Sequence, residues 1–125
     1  MPINSRQKGA RGERELCKWL MDNLPGVPEL SRTLDQARDG GADIMLLPPF
    51  AIEVKRCQVL NVNKWWKQAE IQAEQTGRIP LLAYRANRKP WTFCLPCRCY
   101  LYGNMAGYFS LDEAGFIGFY KNIAD

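Results

Sequence analysis

The stretch ADIMLLPPFAIEVKRC, residues 42–57, constrains the fold more than any other part of the sequence. Ala42 to Leu47 and Phe50 to Arg56 are two strand-like runs on either side of Pro48-Pro49, and this layout predicts an antiparallel hairpin. With a side-chain period of two, the second run puts Ala51, Glu53 and Lys55 on one face and Ile52 and Val54 on the other. A register pairing Leu46 or Leu47 with Phe50 brings Asp43 opposite or diagonal to Glu53, within reach of a shared cation.

A helix is expected before the hairpin, from about Ser5 to Asn23, closed by Pro25-Gly26. At 100° per residue, Glu13 points in nearly the same direction as Leu16, Cys17, Leu20 and Leu24, whereas Arg14, Glu15, Lys18 and Asp22 point the other way. An inward carboxylate costs several kcal/mol unless it is paired, protonated or metal-bound, about the scale that attends burial of any charge. Glu13 therefore asks for an explanation that Glu15 does not. Residues 29–34 read as a short edge strand, and DQARDGG after them as a loop. Beyond the hairpin, NKWWKQAEIQAEQT reads as a second helix with Asn61 or Asn63 as N-cap and Gly77 as its stop. IPLLAYR and WTFCLPC are strands around the basic turn ANRKP; LDEAGF reads as a helical turn and FIGFY as a last strand.

At 125 residues one domain is expected over 1–125, with a core at about 8–96 and a C-terminal extension from 97. No apolar run is long enough to cross a bilayer, and MPINSRQKGARGERE lacks the apolar middle of a secretory signal, so the expected location is the cytoplasm. The five cysteines are then expected to be reduced thiols. The count of zero histidines is more selective: it excludes Ser-His-Asp and Cys-His nucleophile systems, His-ligated zinc and HNH-type nucleases. Basic residues dominate 1–20 and 51–100 while acidic ones gather in 21–50, a layout suited to a polyanion lying across basic flanks with a carboxylate centre between them.

Asp43, nine intervening residues, then Glu53-Val54-Lys55, with Glu13 on a preceding helix, form a candidate divalent-metal phosphodiesterase site. Hard Mg²⁺ or Mn²⁺ ions, expected as two per site, prefer carboxylate and carbonyl oxygen, here Glu13, Asp43, Glu53 and the Val54 carbonyl. Lys55, on the same strand face as Glu53, can orient or deprotonate the attacking water and stabilise charge developing at phosphorus. None of this needs a histidine.

A helix with an inward glutamate, Gly40-Gly41-Ala42-Asp43-Ile44, a hairpin, Ala51-Ile52-Glu53-Val54-Lys55, a helix and a strand come in an order seldom met by accident. The chain resembles the PD-(D/E)xK nuclease superfamily, and most closely its archaeal and phage-type Holliday-junction resolvases, over roughly residues 8 to 85. Lys8-Gly9-Ala10-Arg11-Gly12-Glu13-Arg14 is similar to the family's G-x-x-x-E-R motif, which implies a metal ligand at Glu13. Ala42 stands where the superfamily name has proline. Trp66-Lys67-Gln68-Ala69-Glu70 resembles the family's second helix, which implies Gln68 near the active site. Ser31 and Arg32 stand where such resolvases carry a DNA-contacting segment. The resemblance implies an α/β, restriction-endonuclease-like αβββαβ core with a central mixed sheet flanked by helices. It also implies a homodimer with two sites, each cutting one strand of a four-way DNA junction, in a prokaryotic cell or phage-infected host.

DNA contacts are expected from Lys8, Arg11, Arg14, Arg32, Arg56, Lys64, Arg85, Arg88 and Lys89. Trp65-Trp66 either stack on unpaired bases or pack in a core or dimer seam. Cys94-x-x-Cys97-x-Cys99 has a zinc-like spacing but no second C-x-x-C, so buried structural thiols are the expected reading. The rival functions are a nicking or restriction-like nuclease of linear DNA, a non-catalytic nucleic-acid-binding module, and a structural zinc module.

Overall fold

The structure, a computed structural model, describes residues 5–24, 49–99 and 105–124. Helix α1 (Ser5–Asn23) is followed by β1 (Phe50–Arg56), α2 (Val62–Thr76), β2 (Ile79–Arg85), β3 (Thr92–Cys99), β4 (Met105–Leu111) and α3 (Glu113–Ala124). The strands expected at 29–34 and 42–47, and with them the hairpin pairing, lie outside the described residues. No helix is long and apolar enough to cross a membrane among the described residues.

The four strands lie in the order β1-β2-β3-β4. β1 and β2 are parallel, pairing Glu53 with Leu82 and Lys55 with Tyr84, while β2-β3 and β3-β4 are antiparallel. A parallel pair cannot be joined by a tight turn, and α2 supplies the crossover. That helix ends where the sequence predicts: Gly77 adopts φ 67°, and its amide and that of Arg78 reach back to the carbonyls of Glu74 and Ala73. Asn61 occupies the N-cap position, but its side chain makes no capping hydrogen bond.

Strand alternation sorts the core into two layers. Ile52, Val54, Leu81, Ala83, Trp91, Phe93 and Leu95 pack beneath α1 and α3, against Leu16, Cys17, Leu20, Leu24 and Phe116. Leu82 and Cys94 face α2 instead, meeting Trp65, Trp66 and Ala69, and Ala51 meets Ala73. Both tryptophans are buried, at 7% and 4% exposure, so the base-stacking alternative is overturned for this pair: their rings fill the space between α2 and the sheet. The mixed sheet between helical layers is the expected α/β architecture.

The C-terminal segment corrects the sequence reading. FIGFY is not a strand; it lies within α3, and the last strand is MAGYFSL before it. Asp112 begins the helix by accepting the Gly115 amide on its side chain at 2.7 Å, and Glu113 accepts the Trp91 amide at 3.2 Å. Phe116, Phe119, Tyr120 and Ile123 then recur at helical spacing, a period that outweighs the aromatic content that favours a strand.

Candidate active site

Glu53 is the buried charged residue of the described core, 5% exposed, in the middle of β1. Its place follows from strand phase: Ile52 and Val54 occupy the face beneath α1, so Glu53 falls on the α2 face with Ala51 and Lys55. Lys55 returns along the strand to set its ammonium 3.5 Å from a Glu53 carboxylate oxygen, and its side chain keeps 26% exposure. A carboxylate and an ammonium thus meet at a point where one is enclosed and the other touches solvent. Gln68 is half-buried on α2, the helix that covers this face.

Glu13 is half-buried on α1. It raises the Cys17 thiol, whose pKa is pushed up to about 12 by burial first and by the Glu13 charge second. That coupling fits two residues one helical turn apart on one flank of the buried stripe. α1 covers the face opposite α2, so Glu13 is carried by the α1 layer while Glu53 projects from β1, the outermost described strand, towards α2. Gly12 allows the close approach: a Cβ there would lie 3.3 Å from the Arg56 Cβ and 3.7 Å from a Val54 methyl.

Glu15 departs from expectation. Its carboxylate accepts from Arg85 and lies 3.2 Å from the Arg56 Nε, and all three side chains are only 20–28% exposed. The inward stripe of α1 is broader than the aliphatic residues alone indicate, because Trp19 also packs on the core, bringing the Glu15 flank over the ends of β1 and β2. The Arg85 guanidinium lies 4.9 Å over the Trp91 ring. Arg56 and Arg85, two of the expected DNA contacts, are therefore engaged within the fold. Glu15→Gln is expected to lower unfolding stability by about 2 kcal/mol, since a charged hydrogen-bonding partner is worth about 1.5–3 kcal/mol; urea titration checks it, and an unchanged midpoint would remove this role.

Of the other expected contacts, Arg11, Arg14, Lys64, Arg88 and Lys89 are exposed. Lys8 lies in α1, but its side chain is outside the described residues, as are Arg32 and Asp43 entirely. The cysteines split: Cys94 is buried facing α2 with its pKa pushed up to about 11 by burial, whereas Cys97, three residues on and on the other strand face, is exposed. Residues three apart on a strand point in opposite directions, so these two thiolates cannot chelate one zinc ion. Pro96 is half-buried and Cys97 is exposed, so the inward packing expected of Cys97 is not found.

The donors Glu13, Glu53 and the Val54 carbonyl are hard oxygens, chemically suited to Mg²⁺ or Mn²⁺. No three His, Cys, Asp or Glu side chains gather as a metal site among the described residues, and Asp43, the third carboxylate of the expected set, lies outside them. Elsewhere, an apolar groove of about 340 Å³ between the sheet and α3 is lined by residues such as Phe50, Ile79, Leu95, Phe109 and Phe119. It carries no titratable group and so has no means of activating water.

The chain matches the family described as "Phage putative PDDEXK endonuclease" over residues 4–119. Among solved structures it is similar to Hjc, a Holliday junction resolvase of the archaeal hyperthermophile Archaeoglobus fulgidus, at 22% identity over 87% of each chain with a TM-score of 0.44. None of the curated proteins matches it.

Proposed function

Because the chain belongs to the phage PDDEXK endonuclease family, we propose that this nuclease is a divalent-metal-dependent, structure-selective DNA endonuclease that resolves four-way junctions by phosphodiester hydrolysis. The observation that carries the catalytic reading is the buried Glu53 carboxylate with the Lys55 ammonium at 3.5 Å on the central stretch of β1. A purely structural ion pair has little reason to bury its carboxylate, because desolvation opposes the Glu53 charge.

In this reading Glu13, Asp43, Glu53 and the Val54 carbonyl hold Mg²⁺ or Mn²⁺, which when bound lowers the pKa of water and neutralises phosphate charge. Lys55 donates hydrogen bonds to the attacking water or to a non-bridging phosphate oxygen, where negative charge grows in the transition state. Gln68 contacts water or substrate from the α2 layer. Arg11, Arg14, Lys64, Arg88 and Lys89 hold phosphates, and the protein acts as a homodimer that presents one site to each of two strands. The preference for junctions rests on the likeness of the G-x-x-x-E-R, A-D-I and E-V-K motifs to those of resolvases.

The test is gel-resolved cleavage of a labelled four-way junction and a matched linear duplex, each with Mg²⁺ or EDTA. Paired nicks in the junction alone, abolished by EDTA, are expected. Equal cutting of both substrates would keep the nuclease and discard junction selectivity, and binding without cutting under every metal tried would replace the enzyme by a DNA-binding module.

A further inference from the structure

The loop between β1 and α2 exposes two adjacent aliphatic side chains, Val59 at 82% and Leu60 at 50%. Scattered exposed aliphatics are ordinary. These two differ in standing at the tip of a loop that is tied down on the side facing its neighbour. The Cys57 amide donates to the Arg85 carbonyl at 3.2 Å, and the Gln58 side-chain oxygen accepts the Asn87 amide at 3.3 Å. The loop is thereby clipped to the β2-β3 turn, in which Arg88 adopts φ 63°. Both loops sit at the carboxyl ends of the parallel strands β1 and β2, directly beyond Lys55, the end at which α/β sheets receive ligands.

Charge within the two loops has one sign. Lys64 in the first turn of α2 and Arg88 and Lys89 in the turn are exposed, and neither 57–69 nor 86–92 contains an acidic residue. An apolar tip bracketed by cations matches the surface of a base pair step, whose interior is apolar and whose two edges carry phosphates; proteins that kink or open DNA insert aliphatic side chains in this way. We propose that Val59 and Leu60 form a wedge that enters the base stack of bound DNA, with Lys64, Arg88 and Lys89 on the flanking phosphates. The wedge rests on the reading of this chain as a DNA enzyme, and it adds a way to favour DNA that is already unstacked, since opening an intact step opposes insertion while a branch point offers it ready-made.

The experiment is done in EDTA, so that cleavage plays no part, with the full chain and a junction carrying 2-aminopurine at the branch, whose fluorescence rises when it loses its stacking neighbours. Wild type is expected to raise the fluorescence, and the V59S/L60S variant to bind with loss of that rise and an unchanged dependence of affinity on salt. Arg88→Gln with Lys89→Gln is expected to reduce the slope of log affinity against log salt by about 2 while the rise at saturation persists. Both aliphatics are exposed, so the fold does not depend on them.

A rise that survives V59S/L60S overturns the wedge. Wild-type binding without any rise also overturns it and leaves the nuclease reading standing, whereas a wild type that binds no DNA overturns both before any substitution is made. If sedimentation shows a wild-type dimer that V59S/L60S converts to monomer, the tip is a contact between copies of the chain, and the wedge is again overturned.

Discussion

Replacing Glu53 by Gln is expected to lower Mg²⁺-dependent cleavage by about 10³-fold while leaving DNA binding in EDTA essentially unchanged, the scale of loss seen when a group that stabilises transition-state charge is deleted. The asymmetry follows from where the residue sits. Glu53 is 5% exposed within the sheet and cannot itself meet a phosphate of the DNA surface, so its charge matters to binding only at long range. The amide occupies the same volume and keeps the packing between β1 and α2. It removes a hard anionic donor from the proposed metal set and the counter-charge 3.5 Å from Lys55. Lys55 is 26% exposed and can turn its ammonium to water, so the unpaired cation costs less than a buried one. Cleavage on gels, anisotropy binding in EDTA and circular dichroism together decide the matter. Loss of binding in parallel with cleavage would assign Glu53 to the scaffold, and retained cleavage would end its role as a ligand.

Phe116→Ala should have the largest effect on stability, a loss of about 3–5 kcal/mol, or roughly 10–20 °C in Tm. Phe116 is fully buried, and its ring stacks on Phe93 at 4.1 Å between centroids and 8° between planes. Trp19 of α1 lies within 5.2 Å of Phe93 and 6.5 Å of Phe116, so one ring couples α3, β3 and α1. Truncation leaves a cavity walled by aromatic rings from three elements, and rigid rings relax poorly into empty space. Thermal and urea unfolding would measure this. A loss below about 1 kcal/mol would mean that α3 is detached from the cooperative core, because surface substitutions rarely exceed ±0.5 kcal/mol.

These two residues differ in how far the sequence revealed them. Glu53 and Lys55 were legible because period-two alternation assigns them a face shared with Ala51, whatever the rest of the chain does. The same holds for α1 and α2, whose apolar spacing and Pro25-Gly26 or Gly77 stops lie within each segment. For Phe116 the sequence pattern suggests the end of a helical turn leading into a strand, although Asp112 as a cap and the recurrence of Phe116, Phe119, Tyr120 and Ile123 are helical signals. The glycines at 115 and 118 and the density of aromatic residues obscured that period.

The remainder had no local signature. Periodicity, caps and turn residues act within a few positions, which is why the sequence by itself determined the described helices before β3, the strands β1 to β3, and the residue types of the candidate site. Glu15 was legible only as a charge off the aliphatic stripe. Its partner Arg85 is 70 residues away, and the pair exists because the parallel register of β1 and β2 sets Arg56 beside Arg85 under α1. The enclosure of both tryptophans and the clip that holds Val59 and Leu60 outward depend equally on which layer covers which face. Those choices belong to the tertiary structure, since burial and ion pairing are properties of surfaces that meet only after distant segments have packed.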